Sequence, residues 1–97
     1  MREKILKEIE DERKRQVESE KYSSESDDFW SNGELANAAA TYALTPSTRK
    51  SLEENGIPKT WPFGREWYKP RKDYRRRELV MAAALLVAEI ERIDRIR

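Results

Sequence analysis

Apolar residues are spaced along this chain in three ways, and each spacing predicts a helix of a different character. Residues 2–21 are dense in Glu, Lys and Arg without Gly or Pro, and Ile5, Leu6, Ile9 and Val17 form a thin apolar stripe, which predicts a helix with one modest buried edge. Segment 22–31 is a polar loop ending in Phe29 and Trp30, rings that are expected to dock on the core. Ser31 and Glu34 have capping-box spacing, so a second helix is predicted over 32–43, with Leu35, Ala38, Ala39 and Tyr42 on one side and alanines that permit close helix contact. Thr45-Pro46 makes a good helix start and Gly56 after Asn55 a good stop, predicting a short surface helix within 46–54. Residues 57–72 contain three of the four prolines yet are too aromatic for a disordered linker.

The last pattern is the strongest. Asp73 is placed to cap a final helix over 73–96, whose apolar residues Leu79, Val80, Ala82, Ala83, Leu85, Leu86 and Val87 cover nearly its whole circumference before Ile90, Ile93 and Ile96. Such a helix needs neighbours on all sides, and one chain offers too little cover. Self-association through helices two and four is therefore expected. The fold class is all-α, a small helical bundle with an aromatic loop.

Composition narrows the chemistry. Ninety-seven residues make one domain, 1–97, and with 37% hydrophobic and 40% charged residues the core must be concentrated in few helices. Twenty basic and 19 acidic residues leave a net charge of +1, so any anion site is local and nucleic acid is a weak candidate partner. Without cysteine or histidine there is no disulfide framework, thiolate nucleophile, zinc site or Ser-His catalysis. The start lacks an apolar signal core, and the longest apolar run, Leu79 to Ala88, is about half a membrane span, so a cytoplasmic protein with no membrane partner is expected.

Two segments carry candidate chemistry. Gly33-Glu34-Leu35-Ala36-Asn37 and Arg77-Glu78-Leu79-Val80-Met81 each set one carboxylate at the mouth of an apolar helix. A second acid three residues on would complete a metal-binding pair, but those positions hold Asn37 and Met81. Asn37 can still offer a carbonyl oxygen, and Asp27 and Asp28 can supply carboxylates if their loop folds back. Trp61, Phe63, Trp67 and Tyr68 are interleaved with Lys59, Arg65, Lys69, Arg71 and Lys72, and Arg75-Arg76-Arg77 follows closely. Rings stack on a base for about 1–3 kcal/mol each, and guanidinium forks grip phosphate at two points. Each feature also has a plainer reading. Glu34 caps its helix, Glu78 complements a helix dipole, the tryptophans close a small core, and the arginines pair with neighbouring acids. The Glu91/Asp94 spacing reads as a charged helix face beside Arg92 and Arg95.

Taken together, the Glu-Arg-Lys-Arg-Gln of the first helix, Asp27-Asp28, Gly33-Glu34-Leu35-Ala36, and Arg77-Glu78-Leu79 with Ala82-Ala83 and Glu89-Ile90-Glu91-Arg92-Ile93-Asp94 resemble small phage and prophage proteins similar to MazG-like all-α pyrophosphohydrolases. That resemblance implies a nucleotide-handling scaffold in which Glu34 and Glu78 match the first acid of each Mg²⁺-binding pair. With the second acids absent, the expected function is binding without cleavage: a phage-type protein that sequesters a nucleotide, of the cyclic or ADP-ribose class used as immune signals, in a bacterial host's cytoplasm. Tryptophan and tyrosine would stack the base. Arg65, Lys69, Arg75 and Arg76 would hold phosphate, and Glu34, Asn37 or Asp28 would accept from the ribose or base edge. The alternatives are a divergent Mg²⁺-dependent pyrophosphohydrolase using Glu34, Glu78 and a loop aspartate, and an inhibitor that docks helix four on a host enzyme. Only the enzyme would require a cofactor, Mg²⁺.

Overall fold

The computed structural model describes residues 1–19, 30–71 and 74–95. In order these form helix α1 (Arg2–Ser19), helix α2 (Glu34–Ala43), helix α3 (Pro46–Ser51), a hairpin of strands β1 (Glu53–Glu54) and β2 (Ile57–Pro58), a 3₁₀ turn (Arg65–Trp67) and helix α4 (Arg75–Arg95). The all-α expectation holds apart from the hairpin.

Helix α4 is the axis of the fold, and α2 and α1 both pack on it. Leu35, Ala38, Ala39 and Tyr42 of α2 face Met81, Ala82, Leu85 and Ala88 of α4, all buried, so the two helices approach through small side chains. The apolar face of α2 is thus spent within one chain, which removes it from the expected self-association surface. Trp61 closes the end of this core at 6% exposure. Its ring meets Tyr42 edge-on at 5.3 Å and Phe63 at 5.5 Å, and its indole nitrogen donates to the Gly64 carbonyl at 3.1 Å. Trp30 adds an edge contact with Phe63 at 5.0 Å. Such pairs contribute about 0.5–1.5 kcal/mol each beyond area burial.

Helix α1 corrects one expectation. Ile5, Leu6 and Val17 remain 43%, 58% and 39% exposed, whereas Glu12 and Gln16 are each 1% exposed. The buried edge of α1 is polar because it lands beside the first turns of α4, where it meets Arg77 and the Met81 carbonyl. Glu12 accepts from Arg77 and from both Arg15 nitrogens at 2.8 Å, and Gln16 Nε2 donates to the Met81 carbonyl at 3.2 Å. Burial pushes the Glu12 carboxyl up, but the Arg15 and Arg77 guanidiniums outweigh it and hold it below the usual range.

Other boundaries move too. Helix α2 starts at Glu34 rather than 32, after Gly33 at φ 84°, and Glu34 reaches back to the Asn32 N–H at 2.8 Å, while no side chain caps the helix from the Gly33 position. Thr45 caps α3 by accepting from the Thr48 N–H, as its sequence implies, but α3 ends at Ser51. Asn55 (φ 59°) and Gly56 (φ 89°) form not a helix stop but the two-residue turn of the hairpin, with Glu53 opposite Pro58 and Glu54 opposite Ile57. Two successive left-handed residues match the right-handed twist of paired strands, the property that makes Asn-Gly a hairpin signal. The predicted cap Asp73 and the ends of helices one and four at 20–21 and 96 lie outside the described residues. Among the described residues, no helix is long and apolar enough to cross a membrane.

Candidate functional site

The most unusual group of side chains sits where α3 meets the start of α4. Glu78 is fully buried one turn into α4, and its two oxygens are divided among three donors. Arg49 of α3 gives Nη2 to Oε1 at 2.9 Å, Arg75 gives Nη1 to the same oxygen at 3.2 Å, and the Arg71 N–H gives to Oε2 at 2.9 Å. Burial raises the Glu78 carboxyl, and the Arg49, Arg71 and Arg75 hydrogen bonds together bring it below its ordinary value. The carboxylate is ionised and holds Arg49 in place.

Arg49 is itself 3% exposed, a rare state for arginine. Its Nη1 is buried and has no hydrogen-bond partner among the described residues. It lines a cleft of about 270 Å³ with Pro46, Ser47, Lys50, Glu53 and Tyr68. The cleft therefore combines an anchored guanidinium, an exposed ammonium, a hydroxyl, a carboxylate and an aromatic ring. Burial pushes the Tyr68 hydroxyl up from its ordinary value, partly offset by Arg49, so it is a neutral donor and acceptor at pH 7. Tyr68 also lies nearly parallel to Tyr42, 17° between planes at 6.0 Å, which fixes its ring.

The residues singled out from the sequence do not form one constellation. Tyr68 lines the cleft and Glu78 stands behind it, holding Arg49. Arg75 caps the C-terminus of α2, donating to the Tyr42 and Leu44 carbonyls at 2.9 Å each and to that of Ala43. These carbonyls carry the negative end of the helix dipole. Arg76 is paired with Glu8 and Arg77 with Glu12, so of the three consecutive arginines one turns to α2 and two to α1. Arg65 donates to the Asn55 carbonyl across the hairpin turn. Trp61 is core. Trp67 is half-buried with the Lys69 ammonium 5.8 Å from its ring centre, and the Lys69 N–H donates to the Tyr42 hydroxyl at 2.9 Å. Glu34 is partly exposed and Asn37 exposed on α2, while Met81 is buried in the core. Asp27 and Asp28 lie outside the described residues.

Sequence reasoning missed Pro46, Ser47, Arg49, Lys50 and Glu53, because Pro-Ser-Thr-Arg-Lys reads as the start of an ordinary surface helix. Nothing local reveals that Arg49 turns inward to meet an acid 29 positions later. Two other clefts border α1, one of about 310 Å³ at Glu8, Asp11, Glu12, Arg15 and Arg77 and one of about 570 Å³ at Met1, Lys4, Ile5, Glu8, Tyr74 and Arg76. In both, the arginines are already matched to Glu8 or Glu12. Among the described residues no three acids come together in a way that could hold a metal ion. Comparison with models of known protein families, with curated proteins and with solved structures finds no match.

Proposed function

We propose that this chain binds a phosphorylated nucleotide and retains it unaltered, with the cleft at Arg49, Lys50, Ser47 and Tyr68 as the seat of its anionic part. The observation that carries the reading is the buried Arg49, oriented by Glu78 on one guanidinium nitrogen and unpartnered on the other. Because that nitrogen is shielded from solvent in the free protein, a phosphate oxygen reaches it as the cleft wall yields on binding, and Lys50 and the Ser47 hydroxyl, both exposed, supply the first contacts. Tyr68 offers a ring face to a base and Glu53 an acceptor for ribose hydroxyls. At about 270 Å³ the cleft falls just below the roughly 300–1,000 Å³ of pockets for drug-sized ligands, so it takes a ribose phosphate or a base and leaves the rest of the nucleotide at the surface.

The engagement of both Glu78 oxygens supports retention over Mg²⁺-dependent cleavage, since a metal at Glu78 would have to displace three hydrogen bonds. A nucleotide of the cyclic or ADP-ribose class, sequestered by a phage-type protein, remains the biological setting that the sequence resemblance implies.

The test is mass spectrometry of the purified protein, intact and after heat release of any bound small molecule, with calorimetric titration of AMP and ADP-ribose. The expected result is a nucleotide recovered chemically unchanged, with affinity roughly tenfold or more weaker in Lys50→Glu, equivalent to about 1.4 kcal/mol. Absence of nucleotide binding at micromolar concentration refutes the proposal, and release of pyrophosphate replaces it with the enzyme.

A further inference from the structure

The back of α4 carries a second feature, independent of the cleft. Leu79, Leu86, Ile90 and Ile93 are 46%, 48%, 58% and 37% exposed, and Ala83 is partly exposed between them. Their spacing of four, three, four and three is the heptad pattern of a coiled-coil seam, and it places them on the side of α4 opposite Met81, Leu85 and Ala88, which face the core. Four large aliphatic side chains in one stripe differ from the singly scattered apolar residues normal on protein surfaces.

We infer that this stripe is covered by α4 of a second copy of the chain, crossing antiparallel in a symmetric dimer centred between Ala83 and Leu86. The stripe matches itself, as an isologous two-fold contact requires, and the charges at its margins select the direction. Arg76 and Asp94 are about five turns apart at about 3.6 residues per turn, so they lie on one edge of the stripe, while Glu89 lies on the other. An antiparallel two-fold sets like edge against like edge and brings Arg76, which Glu8 holds on one side but whose side chain stays 51% exposed, toward the partner's Asp94. A parallel pair would instead leave Arg76 and Asp94 about 27 Å apart, at opposite ends of the seam. Ala83, the one small residue in the row, lets the helix axes approach closely. The α2 face expected to share this interface is already used inside the chain, so the seam belongs to α4.

The test uses sedimentation and disulfide trapping, which the absence of native cysteine makes clean. The protein is expected to sediment as a dimer, and Leu86→Glu as a monomer with unchanged helical circular dichroism, since Leu86 faces away from the core. Under oxidation, a mixture of Leu79→Cys and Ile90→Cys is expected to give the mixed disulfide, with little Leu79→Cys homodimer. A monomeric parent at micromolar concentration, a dimer indifferent to Leu86→Glu, or efficient self-cross-linking of Leu79→Cys overturns the inference.

Discussion

Replacing Glu78 by glutamine tests the centre of this structure most directly, because it keeps the side chain's shape and removes only its charge. Glu78 and Arg49 side chains are 0% and 4% exposed, so solvent screens their interaction little, whereas Arg75, at 33%, retains access to water and its three α2 carbonyls. Removing one member of a buried pair costs about 3–5 kcal/mol, chiefly because the other charge is left uncompensated. Glutamine keeps one acceptor oxygen, which puts Glu78→Gln near the lower end, at ~3 kcal/mol. A domain of this length has a total stability of about 5–15 kcal/mol, and ~3 kcal/mol corresponds to a fall in Tm of about 12–24 °C. Thermal unfolding followed by circular dichroism measures it. The double variant Arg49→Leu/Glu78→Leu is expected to recover much of the loss, because neither charge then remains buried. A Tm change below about 4 °C for Glu78→Gln, or a double variant that loses the full sum of the two single changes, refutes the claim that this pair is a tightly coupled buried unit.

Acid should destabilise the fold through the same kind of group. Glu12 and Glu78 both titrate below their ordinary value of 4.5, so each contributes stability that is present above that pH and disappears as pH falls through the lower folded-state value. The urea midpoint is expected to be level near neutrality and to fall below about pH 4.5, with a shallower fall in Glu12→Gln; a midpoint constant through that range contradicts the assignment. Gly56→Ala should lower stability by roughly 1–2 kcal/mol, since its φ of 89° is left-handed and the added Cβ would lie 3.0 Å from Arg65 Nη1. Urea unfolding reads this directly, and a change within about 0.3 kcal/mol would show that the turn relaxes without cost.

The long helices were legible in the sequence because their signals are local. Uninterrupted helix formers over Arg2–Ser19, Thr45-Pro46 at the start of α3 and the dense apolar run of α4 each act within a few residues of one another. The core face of α2 also followed from spacing, whereas for Trp61 the shortage of other large apolar groups left a core role and a base-stacking role both open, and its burial places it in the core. The Asn-Gly turn was equally local but admits two outcomes, a helix stop or a hairpin, and the pairing of Glu53–Glu54 with Ile57–Pro58 decides between them.

Which charged residues lie inside was decided by the tertiary structure alone. Glu12, Arg49 and Glu78 resemble their exposed neighbours in the sequence, and their burial depends on partners 65 and 29 positions away. A charge is stable inside only where another element delivers a compensating group, so its position follows from how helices cross, not from any pattern along one of them. For the same reason Arg75, equally suited by sequence to a phosphate, is placed on the carbonyls that end α2, while Arg49, in a stretch that reads as ordinary surface, is buried beside the cleft with one nitrogen that has no hydrogen-bond partner among the described residues. Sequence by itself determined where this chain is helical and how few apolar groups it has for a core; the packing of α1 and α2 against α4, and the reach of Arg49 from α3 to Glu78, determined which of its many charges became structure and which line the cleft.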